Sequence, residues 1–131
     1  MTLTVQIGQG HPTARFHSAT IDSFGIDLLS DGLTASRSVY IHSFDLNALA
    51  AFFEDLADSW KGWDDEKSWH SIEHELLITA TSDALGHCLL TFTLRDGPNY
   101  TWKTTVGGFA ISAGEDMVAV AREMRAWADG A

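Results

Sequence analysis

The sequence is short of cysteine, proline and positive charge: one Cys, two Pro, and eight Lys and Arg against eighteen Asp and Glu in 131 residues. Each shortage excludes something. A single cysteine, Cys88, closes no intrachain disulfide, and its place in the apolar run from Leu85 to Leu94 predicts a buried thiol rather than a nucleophile. Prolines stand only at positions 12 and 98, and no Gly/Ser-rich stretch forms a linker, so residues 1–131 read as a single domain. No apolar run approaches the roughly 18 residues that span a bilayer, and the first ten residues lack the basic start and apolar stretch of a signal peptide. The expectation is a cytoplasmic protein with no membrane partner. A net charge of -10 argues against a nucleic-acid partner bound through phosphate neutralisation and favours a basic one.

What is present is a 45% hydrophobic chain, enough for one core. Runs carrying β-branched and aromatic residues occur at Thr4 to Ile7, Ala14 to Ser18, Phe24 to Leu29 and Leu33 to Ile41, with the hairpin signal Asp31-Gly32 between the last two. From Asp45 to Trp60 the period changes, because Leu46, Leu49, Ala50, Phe53, Leu56, Ala57 and Trp60 recur at helical spacing; Ser43 or Asp45 caps the start. Further strands are predicted at Ser71 to Thr81, His87 to Arg95, Tyr100 to Val106 and Phe109 to Ile111, with Asp96-Gly97-Pro98-Asn99 as a turn. Ser112-Ala113-Gly114-Glu115 fits a capping box before a second helix striped by Met117, Val120, Ala121, Met124 and Trp127. The fold class is α+β: an antiparallel, curved sheet of about six to eight strands carrying two helices, in the order β-β-β-α-β-β-β-β-α.

The second helix places its acids first and its arginines later, as the helix dipole favours. The first does the opposite. Glu54, Asp55 and Asp58 fall in its last turns, each unfavourable there by about 0.3–1 kcal/mol at low salt, and Asp64, Asp65 and Glu66 follow directly. On a helical wheel Glu54, Asp55 and Asp58 lie opposite the apolar stripe, facing water or a partner. A solvated face that keeps the protein soluble is one reading; a surface that steers a cationic partner is the other. The loop Asp64-Asp65-Glu66 lacks the alternating oxygen ligands and the glycine of a calcium loop. Trp60 is read as core, whereas Trp63 and Trp69 either cover the sheet or anchor an interface.

His70-Ser71-Ile72-Glu73-His74 spells H-x-x-E-H, the literal pattern of the inverted zinc peptidases. Read as part of one strand, however, the two histidines stand about 13 Å apart, too far for one ion, so no metal is expected. His87, after Gly86, is expected to hydrogen-bond a neighbouring loop. No serine lies in a nucleophile elbow, so no Ser-His-Asp set is assigned, and neither Gly8-Gln9-Gly10 nor Gly107-Gly108 forms a dinucleotide loop. No cofactor is implied.

Phe52-Phe53, Leu56-Ala57, Trp60-Lys61-Gly62-Trp63, Trp69-His70-Ser71-Ile72-Glu73 and Gly86-His87 together carry a resemblance. Over about Phe24 to Met124 the chain resembles domain of unknown function 6228, a family of small, mainly actinobacterial proteins. The family implies no activity and no catalytic residue. It implies tryptophan, serine and glutamate at Trp69, Ser71 and Glu73 without requiring His70 or His74. Small acidic α+β proteins of this kind also resemble immunity proteins that neutralise secreted toxins.

Two functional expectations follow. The first is a non-catalytic binding protein, in its most specific form an immunity protein that covers a basic toxin. Glu54, Asp55, Asp58, Asp64, Asp65 and Glu66 would supply the field and Trp63 the anchor. The second is a small-ligand binder or enzyme built on Trp69, Glu73 and His87 at one end of the sheet.

Overall fold

A computed structural model describes residues 3–42, 45–83, 85–97 and 101–130. Its elements are β1 (Thr4–Ile7), β2 (Thr13–His17), β3 (Ser23–Ser30), β4 (Leu33–Tyr40), α1 (Asp45–Asp58), β5 (Lys67–His70), β6 (Leu76–Ser82), β7 (His87–Arg95), β8 (Lys103–Ser112) and α2 (Glu115–Asp129). The α+β class holds. In place of one curved sheet there are two antiparallel four-stranded meanders, β1-β2-β3-β4 and β5-β6-β7-β8, and four strands rather than three precede α1.

Alternation builds the first sheet: Val5, Ile7, Ala14, Phe16, Phe24, Ile26, Leu28 and Val39 are all buried. Ser30 pairs with Leu33 across the predicted Asp31-Gly32 turn. In the second sheet Leu76, Ile78, Ala80, Cys88, Leu90, Phe92, Leu94, Val106 and Phe109 turn inward. The two inner faces and both helix stripes share one core, at whose centre Phe16 meets Phe24, Phe53, Phe92 and Trp127 at ring separations of 5.9, 6.4, 6.2 and 5.7 Å. The helices pack on each other; α2 also lies against β1 and β8, edge strands of different sheets, and α1 against β5. Among the described residues no helix is long and apolar enough to cross a membrane.

Four local expectations need correction. The run Ser71 to Thr81 is not one strand: the chain reverses between β5 and β6, with Ser71 N–H donating to Leu76 O and His74 N–H to Ser71 O, both at 2.9 Å. The predicted strands at Tyr100 to Val106 and Phe109 to Ile111 are one strand, β8, with a bulge opposite Thr91. Gly108, at φ 86°, supplies the left-handed residue there; the Pro98–Tyr100 portion of the expected turn and strand lies outside the described residues, as does the Ser43 cap. The Ser112 capping box does not form. Strand pairing runs on to Ser112 opposite His87 and to the Ala113 N–H···Gly86 O bond, so Gly114 becomes the N-cap and no side chain caps α2. Finally, Trp60 is not core: α1 stops at Asp58, the helical phase that would bury position 60 is lost, and the indole is 59% exposed.

Candidate functional site: a groove beside the acidic segment

The end of α1 and the loop after it form one wall of a surface groove of about 710 Å³. Trp60, Lys61, Trp63 and Asp64 stand on this side; Asp83, Gly86, His87 and Cys88, from the β6–β7 turn and the start of β7, stand on the other. Met117 of α2 contributes to the lining. Trp63 packs against the core and donates its indole N–H to Ala80 O at 3.4 Å, which ties the loop to β6. Trp69 also packs on the core from β5, so both tryptophans cover the sheet.

Both indole faces near the groove already meet cations. Lys61 Nζ lies 5.3 Å from the Trp60 ring centroid and Lys67 Nζ 5.4 Å from that of Trp63. Opposite them, the Asp83 carboxylate accepts the N–H groups of His87 and Leu85, each at 2.8 Å, and its other oxygen lies 3.0 Å from His87 Nδ1. The His87 backbone N–H, more than any other contact, holds the Asp83 carboxyl below the usual carboxylate range. The Nδ1 contact with the second Asp83 oxygen fixes the imidazole to the adjacent turn, as expected for His87. Burial pushes the Cys88 thiol up to about 11, so the sulfur beside this pair is a protonated core group and no thiolate. Ser59 Oγ is taken by Lys67 Nζ at 3.1 Å. The arrangement offers indole rings, charge and hydrogen-bonding groups, and among its described residues there is no activated nucleophile.

The predicted acids divide into two sets. Glu54 receives a two-pronged contact from Arg125 of α2, Nη2 to Oε1 at 2.7 Å and Nε to Oε2 at 3.2 Å. Asp55 receives Lys67 Nζ at 2.7 Å. These two acids join α1 to its neighbours. Asp58, Asp64, Asp65 and Glu66 are exposed and form no ion pair among the described residues. The residues of the second expectation do not converge. Glu73 is exposed in the β5–β6 turn, whereas His87 opens β7 at the opposite end of the second sheet, roughly 20 Å away along β6. Trp60, expected in the core, and Asp83, to which the sequence assigns no role, do line the groove; the partnership of Asp83 with His87 depends on how the β6–β7 turn closes.

A family model described as a family of unknown function (DUF6228) matches residues 7–131. The chain belongs to this family. The Gly62-Trp63 and Gly86-His87 pairs that carried the resemblance stand on facing walls of the groove. No curated protein and no solved structure matches the chain.

Proposed function

We propose that this member of the DUF6228 family is a non-catalytic binding protein that captures a basic protein partner at the groove and the acidic loop beside it. Neutralisation of a basic toxin, as an immunity protein does, is the most specific form of this reading. The observation that carries it is Trp60, 59% exposed on the groove rim and flanked along the chain by Asp58 and by Asp64 to Glu66. A large exposed indole within an anionic field suits a hot spot that attracts a cationic surface and then desolvates against it. Trp63, the anchor expected from sequence, is partly buried and serves as the groove's inner wall, so Trp60 takes the leading contact.

The test is recovery of a partner from native cells with tagged wild-type protein, followed by reconstitution of the complex from purified components. Asp58, Asp64 and Asp65 are reversed to lysine, leaving the internal pairs of Glu54 and Asp55 intact. Slower association and a shallower salt dependence in that variant support the proposal. A reconstituted partner that binds the variant with unchanged kinetics, or the absence of any specific partner, defeats it.

A further inference from the structure

The two histidines of the H-x-x-E-H run are not separated along a strand. The reversal between β5 and β6 lays their rings face to face, with centroids 4.2 Å apart and planes 14° from parallel. Both residues are exposed. His74 occupies the left-handed region at φ 60°, a position that favours glycine or asparagine, and from there its ring rests on His70. His70 Nδ1 lies 3.0 Å from the carbonyl oxygen of Ser71. A carbonyl only accepts, so Nδ1 is the donor in this contact, and in the neutral ring that tautomer leaves the Nε2 lone pair for a ligand. A second ring nitrogen tied to a backbone carbonyl is the usual support of a metal-ligating histidine.

From this juxtaposition we propose that His70 and His74 form a two-imidazole site for a divalent transition-metal ion of the zinc and copper class. Two bonds of about 2 Å to one ion need the bonding nitrogens roughly 3 Å apart. The exposed His74 ring reaches that separation by swinging out of the stack about its own side-chain bonds, which leaves the His70 Nδ1 contact with Ser71 O in place. Among the described residues no third His, Cys, Asp or Glu converges with them, so water completes the coordination. Imidazole ligands select copper, zinc or nickel over magnesium and calcium, which require oxygen ligands. The ion would close the same turn that carries Glu75, whose carboxylate reaches Tyr40 N–H of the first sheet at 2.9 Å. Binding would thereby also stabilise the junction between the sheets.

The site is tested on tag-free, chelator-treated full chain, titrated calorimetrically with Zn²⁺, Cu²⁺ and Mg²⁺. The expected result is saturable binding of one ion per chain for Zn²⁺ and Cu²⁺, tighter for Cu²⁺, and none for Mg²⁺. His70→Gln or His74→Asn is expected to weaken Zn²⁺ binding by at least about tenfold and to abolish the Zn²⁺-induced rise in melting temperature. Asparagine suits the left-handed position, so the second variant keeps its fold, which circular dichroism verifies. His11→Gln, an exposed histidine outside both the groove and the turn, should bind like the wild type. Absence of saturable Zn²⁺ and Cu²⁺ binding, or binding that survives in the His70→Gln/His74→Asn double variant, overturns the proposal.

Discussion

The backbone N–H of Tyr40 donates to Glu75 Oε2 at 2.9 Å, binding the end of β4 in one sheet to the β5–β6 turn of the other. The second carboxylate oxygen accepts Ser71 Oγ–H at 2.7 Å, and Ser71 Oγ in turn accepts Leu76 N–H at 3.1 Å. Glu75 O accepts Arg95 N–H at 2.9 Å, and Arg37 Nη1 reaches Arg95 O at 3.0 Å. Ser71 and Glu75 are both buried, so the centre of this polar chain is shielded from water.

Removing Glu75 should therefore cost more than a surface substitution. Glu75→Ala leaves the Ser71 hydroxyl and the Tyr40 N–H without their acceptor, and a loss of about 2–3 kcal/mol is expected in urea unfolding. Glu75→Gln retains one acceptor oxygen and should lose less. Equal midpoints for Glu75→Ala and wild type would show that the junction is held by apolar packing alone.

Stability should fall in acid partly through the interhelical pair. Hydrogen bonding from Arg125 holds the Glu54 carboxyl below its ordinary value of 4.5. A depressed folded-state pKa contributes stability that is fully present above the unfolded value and is lost as pH falls through the folded one. The decline should therefore begin below about pH 5 and continue below the ordinary value. Both partners are partly exposed, so Arg125→Ala should cost only about 0.5 kcal/mol at neutral pH and should flatten the acid limb of the stability profile. Unfolding midpoints at neutral and acidic pH, compared between the two proteins, measure both effects.

Trp60 and Trp63 should separate binding from folding. Trp60→Ala is expected to leave the melting temperature nearly unchanged, because the indole is 59% exposed. Trp63→Ala removes a ring packed on the core and its bond to Ala80 O, with an expected loss of about 2 kcal/mol. Thermal melts of both variants decide the matter; a large destabilisation by Trp60→Ala would mean that the indole supports the fold and is not held ready for a partner.

Cys88 should be inert in the folded protein. Its thiol is buried and pushed up to about 11 by that burial, so alkylation near pH 8 should proceed only through unfolding and accelerate sharply in denaturant. Labelling at the rate of a free thiol without denaturant would contradict the burial.

The elements were legible where pattern and local turn chemistry agree. The alternation of β1 to β4, the Asp31-Gly32 hairpin and the stripes of both helices depend on neighbours within a few positions, and each forms close to where the sequence predicts it. Reading failed where a decision depends on a distant partner. The segment Ser71 to Glu75 alternates like a strand, yet Ser71 and Glu75 are drawn out of line to meet Leu76 N–H and Tyr40 N–H, and the chain reverses. Ser112 has the residue type of a cap, but β7 holds it in the sheet.

The candidate site divides in the same way. The sequence alone determined that negative charge gathers around the end of α1, that tryptophans flank it, and that the single cysteine is a core residue, because composition and helical phase are local properties. Tertiary structure decided which acids remain available: Arg125 and Lys67 approach from α2 and β5 to occupy Glu54 and Asp55, leaving Asp58 and the 64–66 loop exposed. It also set His70 against His74 and parted Glu73 from His87, since a chain reversal changes the distance between residues in a way that their spacing in sequence does not record.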